Sequence, residues 1–281
     1  MRVAFKSAEG QKEILSYYES LVEKSSVPHE KIIIDTRYGK TFIMDSGKED
    51  LPPLILLHGS GMNSVMWVHE LVKYARHYRV YAVDMPGEPG RSSVTQLPFE
   101  GDDFTNWLYN IFDVLSIETA SIVGISLGAW LGTKFSIKYP PKVNKLVLLC
   151  PAGIGPQKKS FMFKSLFYML AGEKGIEKLY YRINGDKHIP KEILTYQKLI
   201  TKHFNFRKET IPLFSDDELR KLTISVALFV GAKDIMIHSA KTAKRLKSLV
   251  EYATINVLPD EGHSLVNQGE AIREFLNETC I

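Results

Sequence analysis

Six short apolar runs, at residues 54–57, 80–83, 120–123, 143–149, 226–230 and 254–258, alternate with segments of helical periodicity. A strand that is apolar along its whole length, and not only at every second position, must be covered on both faces, and helices placed between such strands do the covering. The rhythm therefore predicts an α/β fold with a mostly parallel sheet covered by helices. Ahead of it, residues 31–36 and 41–46 are β-rich runs on either side of Arg37-Tyr38-Gly39-Lys40, where the glycine supplies the turn of an antiparallel hairpin. Two opening strands and six later ones make eight. Residues 8–24 carry Ile14, Leu15, Tyr17, Tyr18, Leu21 and Val22 at helical spacing, which predicts an amphipathic leading helix.

Between the fourth and fifth runs the alternation stops for residues 153–214. The chain thus divides into a leading helix at 1–29, a core at 30–152 and 215–281, and an insertion at 153–214. Within the insertion an apolar stretch at 161–170 reads as the underside of a helix lying over the site, although Lys158, Lys159 and Lys164 beside it also fit a membrane-surface helix. The insertion holds twelve Lys and Arg against five Asp and Glu, so the basic character of a chain with net charge +4 resides there. So mild and mixed a charge, without a clustered patch or motif, gives no nucleic-acid footprint. Cys150 and Cys280 stand far apart, which suggests neither a disulfide framework nor a zinc site. No signal-peptide core appears in the first thirty residues and no stretch approaches the ~20 apolar residues of a membrane span. The expectation is a soluble, cytoplasmic protein without stable membrane anchoring. No feature decides its oligomeric state.

After the run at 120–123 stands Gly124-Ile125-Ser126-Leu127-Gly128, followed by helical periodicity at 129–139. This is the G-x-S-x-G pattern between strand and helix that forces a sharp turn and leaves the serine hydroxyl outward on a strained backbone. A serine hydroxyl is a weak nucleophile until a base accepts its proton and a third group orients the base. Asp234 follows the run at 226–230, and His263 follows the run at 254–258, each past the carboxyl end of a strand where sites in open α/β sheets gather. His238, only four residues beyond Asp234, opens a helix and is the poorer candidate. A tetrahedral intermediate also needs neutral donors. The Leu127 amide is one candidate, and the Ser60 or Gly61 amide, in the His58-Gly59-Ser60-Gly61 turn after the run at 54–57, is the other. Asp84 and His58 read as residues that brace loops, and Cys150 as a small buried residue ending a strand.

With these motifs in this order, residues 30–281 resemble the α/β-hydrolase superfamily, in particular small bacterial serine carboxylesterases and the cofactor-free haloperoxidase-like branch. The resemblance rests on His58-Gly59, on Asp84-Met85-Pro86-Gly87 with Gly90-Arg91-Ser92, on Ser126, on Gly231 with Asp234, and on Gly262-His263. It implies an α/β-hydrolase fold, a helical cap in the insertion, and hydrolysis of a small-molecule ester by a Ser126-His263-Asp234 triad with no metal or organic cofactor. Thioesters, C–C bonds and peroxyacid formation use a similar triad, and a ligand receptor that keeps the triad is a further alternative. Two departures stand out: Gly87-Glu88-Pro89-Gly90 holds one residue more than the family's usual loop, and Ile125 replaces the histidine common in lipases.

Overall fold

The computed structural model describes residues 2–25, 28–265 and 268–278. Cys280 lies outside them. In chain order the elements are α1 (Ala8–Lys24), β1 (Glu30–Thr36), β2 (Gly39–Ser46), β3 (Pro53–Leu57), α2 (Val68–Tyr74), β4 (Arg79–Val83), α3 (Asp103–Val114), β5 (Ala120–Ile125), α4 (Leu127–Lys138) and β6 (Val143–Leu149). There follow α5 (Lys159–Leu170), α6 (Gly172–Ile183), α7 (Lys191–His203), α8 (Asp216–Leu219), β7 (Ser225–Gly231), α9 (Ser239–Leu249), β8 (Ala253–Leu258) and α10 (Gly269–Asn277). The predicted hairpin is β1–β2, closed where Gly39 takes φ +96° opposite Thr36.

One eight-stranded sheet runs β1-β2-β4-β3-β5-β6-β7-β8. The β1–β2 and β2–β4 pairs are antiparallel and every later pair is parallel. Because strand side chains alternate, Leu54 and Leu56 enter one core while Ile55 and Leu57 enter the other. One face is covered by α3, α4 and α9 through Trp107, Trp130 and Leu246. The opposite face is covered by α1, α2 and α10 through Ile14, Leu71 and Ile272. Burying such side chains contributes roughly 1.5–3 kcal/mol each, which is why the runs specify the sandwich. Among the described residues no helix is long and apolar enough to cross a membrane.

The interval between β6 and β7 holds α5, α6, α7 and the short α8. Its two ends meet at the sheet, where the Phe214 N–H donates to Gly153 O at 2.8 Å. The leading segment fastens its far end. α1 packs on α7 with Tyr17 stacked on Tyr196 at 5.4 Å, and the Lys6 and Asn205 amides donate to His203 O and Ala4 O. The apolar side chains of the stretch at 161–170 are largely open to solvent. In α5, Phe163, Phe167 and Leu170 are 78, 72 and 80% exposed, and the helix packs chiefly on α6. Their spacing fixes a common helix face, but not what that face meets.

A lysine does structural work inside the sheet. Lys145, on β6 and 4% exposed, donates its ammonium hydrogens to Phe275 O at 2.8 Å, Leu276 O at 3.2 Å and Glu278 O. It thereby satisfies carbonyls at the end of α10 that have no intrahelical partner, with charge of the sign that end favours. Lys145→Met, which keeps the packing and removes the donors, should lower unfolding free energy by about 1–3 kcal/mol, measured by urea denaturation at neutral pH.

Candidate active site

Ser126 is the hinge between β5 and α4, half-buried, with φ +52° and ψ −106°. A non-glycine residue in that region is strained and persists only where its surroundings impose it. Here they do. The Ser126 N–H donates to Leu149 O at 2.9 Å, and its carbonyl accepts from Trp130 N at 3.0 Å and Ala152 N at 3.2 Å. The flanking glycines are required by contact: a Cβ on Gly128 would stand 2.3 Å from Leu57 O, and one on Gly124 would stand 2.5 Å from Gly128 O. The helix can therefore start directly over β3, bringing its first amides to Ser126.

Asp234 and His263 reach the same carboxyl edge of the sheet from the loops after β7 and β8. Asp234 Oδ2 lies 2.7 Å from His263 Nδ1, and both residues are buried. The Met236 and Ile237 amides donate to Asp234 Oδ1 at 2.6 and 3.0 Å. Burial alone would raise the Asp234 pKa, but the His263 ring, its hydrogen bond and the two amides together hold it below the usual carboxylate value. An ionised carboxylate only accepts hydrogen bonds, so Nδ1 carries the ring proton. In the neutral ring Nε2 then keeps its lone pair, and that atom is buried without a hydrogen-bond partner. Among the described residues no hydrogen bond joins it to Ser126 Oγ.

The insertion takes part in holding this pair. The His263 N–H donates to Ile183 O at 2.8 Å, and a Cβ on Gly262 would stand 2.3 Å from Gly185 N. Lys158, at the start of the insertion, donates through its N–H to Met236 O and through Nζ to Asp234 O at 2.6 Å. Cys150 Sγ, Asp234 and His263 present ligand-type atoms within 4.8 Å of one another. Burial, then the Asp234 charge, pushes the Cys150 thiol up, while Nδ1 and Oδ2 are engaged with each other, so this donor set suits a hydrogen-bonded pair over a protonated thiol better than a metal ion. His238 takes no part in the pair and caps α9.

The turn after β3 runs beside Ser126: a Cβ on Gly59 would be 3.7 Å from Ser126 Cβ. Of the two donors expected from it, the Gly61 amide is already taken, donating to Glu88 Oε2 at 2.7 Å. This corrects the expectation for Gly61, whose N–H cannot serve two acceptors well. Ser60 N–H donates to no protein atom among the described residues. Leu127, first residue of α4, has no intrahelical acceptor for its N–H. His58 Nε2 accepts from Met85 N at 2.9 Å and Nδ1 meets Gly59 O at 2.8 Å, so the ring is neutral and ties two loops, with burial lowering its pKa to about 4. Asp84 likewise binds loops together, accepting from the Ser64 and Arg91 amides at 2.7 Å each.

A profile of the alpha/beta hydrolase fold family matches residues 52–176. The chain is 29% identical to the uncharacterized carboxylesterase nap of Bacillus subtilis (strain 168), over 94% of this chain and 93% of that one. Its identity to the carboxylesterase YbfK of the same organism is 28%, covering 89 and 88%. The crystal structure of carboxylesterase CesB (YbfK) from Bacillus subtilis superposes with a TM-score of 0.87 at 27% identity, covering 96% of this chain and 99% of that one. The chain has the α/β-hydrolase fold. The eight-stranded sheet of this hydrolase, with its β1-β2-β4-β3-β5-β6-β7-β8 order, delivers Ser126, Asp234 and His263 from the ends of β5, β7 and β8.

The contact under Gly128 is a test of the elbow. Gly128→Ala places a methyl group against Leu57 O and His58 O, at 2.3 and 2.7 Å, so α4 must shift away from β3. The variant should lose about 2–4 kcal/mol of stability, read by denaturant unfolding, and should label with a fluorophosphonate at least tenfold more slowly.

Proposed function

We propose that this hydrolase cleaves carboxylic esters of small molecules by nucleophilic catalysis at Ser126. The observation that carries the reading is the buried His263 Nε2, oriented by a 2.7 Å hydrogen bond from the opposite ring nitrogen to Asp234 and left with no partner of its own. Keeping a lone pair buried and unpaired costs on the order of 1–3 kcal/mol unless a reacting group meets it.

In the proposed sequence Ser126 Oγ attacks the ester carbonyl carbon while His263 Nε2 takes its proton. The Leu127 and Ser60 amides receive the charge that develops on the carbonyl oxygen. As the tetrahedral intermediate collapses, the C–O bond to the alcohol breaks and His263 returns the proton to the departing oxygen. The same nitrogen then takes a proton from water, whose oxygen attacks the acyl-enzyme, and returns it to Ser126 Oγ as the bond to the acyl group breaks and the acid is released. Asp234 stays ionised throughout, holding the ring and offsetting its positive charge. The carboxylesterase relatives, similar over nearly the whole chain, support an ester as substrate. The cap governs which acyl groups fit.

With p-nitrophenyl esters from acetate to long chains, Ser126→Ala should reduce kcat/KM by on the order of 10⁴–10⁶-fold. Asp234→Asn should reduce kcat by about 10⁴-fold, because the uncharged amide no longer fixes the tautomer. Turnover that survives Ser126→Ala would overturn the assignment. A wild type inert on esters whose Ser126 still takes up a fluorophosphonate would move the substrate to another acyl class or to a C–C bond.

A further inference from the structure

In the lengthened loop after β4, the side chain of Glu88 is turned inward. Glu88 is 1% exposed, and its carboxylate is bound on both sides. Oε2 accepts the Gly61 N–H at 2.7 Å, and Oε1 faces Arg207 Nε at 3.4 Å. Arg207, whose side chain is 4% exposed, stands on the segment by which the insertion returns after α7. Its Nη1 donates to Leu97 O at 2.6 Å and its guanidinium lies 4.8 Å from the Phe99 ring centroid. A parallel tie runs beside it, with Asn63 Nδ2 donating to Pro89 O at 2.7 Å and to Tyr196 OH of α7 at 2.6 Å. Gly61 itself, at φ +69°, has no room for a Cβ, which would meet Phe206 at 2.5 Å.

Taking an ion pair out of water is expensive, and well-packed apolar residues in its place are often as stable. Stability alone therefore does not account for a carboxylate and a guanidinium buried beside the turn that holds Ser60. We infer that Glu88 and Arg207 form a positioning pair that fixes the oxyanion turn: Glu88 holds the Gly61 amide, leaving the adjacent Ser60 amide as the turn's donor to the oxyanion, and Arg207 holds Glu88 from the outgoing end of the insertion. The inference rests on the role proposed above for Ser60. Its consequence is that cap and oxyanion turn move together. Burial pushes the Glu88 carboxyl up to about 7, against the pull of Arg207 and of the Gly61 and Ser60 hydrogen bonds. Among the described residues Arg207 is the charged group that faces Glu88, and Arg207 is faced in turn by Glu209 at 3.9 Å. Protonation near neutrality removes the charge that holds Arg207 and weakens the acceptor for Gly61. Activity thus requires a second proton to be lost besides the one on the general base.

The test compares wild type, Glu88→Gln, Glu88→Ala and Arg207→Lys in kcat, KM and the pH profile of kcat/KM on a p-nitrophenyl ester, with Ser126→Ala as control. The acid limb of log kcat/KM should approach a slope of about 2 in wild type and about 1 in Glu88→Gln, whose amide accepts from Gly61 without titrating. Glu88→Ala should lower kcat by about 10²-fold, the scale of losing one oxyanion donor. KM should stay within about twofold in Glu88→Ala and in Glu88→Gln, and kcat of Glu88→Gln should also lie below wild type, because its amide, like the protonated acid, carries no charge to hold Arg207. Arg207→Lys, which keeps the charge but cannot hold both Glu88 and Leu97 O, should fall between. A slope that is the same in wild type and Glu88→Gln, or an unchanged kcat in a folded Glu88→Ala, overturns the inference. Should Glu88→Ala not fold, the slope in the near-isosteric Glu88→Gln decides alone. If Ser126→Ala retains turnover, the proposed function fails first, and the two failures are distinguished.

Discussion

The left-handed backbone of Ser126 is the constraint on which the site depends. It is imposed by three main-chain hydrogen bonds and by the approach of Gly128 to the Leu57 carbonyl, contacts made by the ends of β3 and β6 and the first turn of α4. Their cost is local and the sheet bears it: the strands that supply these contacts are among the most completely buried in the molecule. Parallel strands end at one edge, so a turn that aims one side chain upward also aims it toward the loops that follow β3, β7 and β8. The site is assembled from remote sequence because sheet order puts those edges side by side.

Two buried acids beside this edge respond in opposite directions. Asp234 is met by two amides and a histidine ring, and together these outweigh the penalty of burial, leaving a carboxylate that stays charged. Glu88 is met by one amide at 2.7 Å and by a guanidinium nitrogen at the longer distance of 3.4 Å, and burial prevails. The difference lies in the charged partner, since the His263 ring meets Asp234 at 2.7 Å while the Arg207 guanidinium stands 3.4 Å from Glu88. One acid serves as a fixed charge, and the other sits close to its titration point.

Much of this was legible in the sequence because it depends on short-range pattern. Continuous apolar runs gave the covered strands, Gly39 the hairpin, and Gly124 and Gly128 around Ser126 the elbow. Asp234 and His263 could be placed because each follows a strand directly. The turn after β3 was legible only as a segment. Which amide is free depends on Glu88, whose partner Arg207 lies 119 residues along the chain, and no local periodicity encodes such a pairing. The extra residue in Gly87-Glu88-Pro89-Gly90 was the visible signal, but not the inward turn of the Glu88 side chain. The exposure of one face of α5 was hidden for a similar reason: Phe163, Phe167 and Leu170 are spaced for one helix face, and spacing is silent about what lies opposite.

The insertion leaves and rejoins the core at Gly153 and Phe214, which are hydrogen bonded to each other. Seen from the sheet, some sixty residues amount to a tight turn, and lengthening such an excursion adds little closure entropy, about 0.6 kcal/mol per doubling. Lineages carrying this core can therefore exchange or resize the excursion while the sheet folds as before, and selection for new substrates can act there first. The exchange is not free of conditions. A replacement must return through residues that do what Phe206 and Arg207 do, so the outgoing stalk is expected to evolve more slowly than the helices it carries.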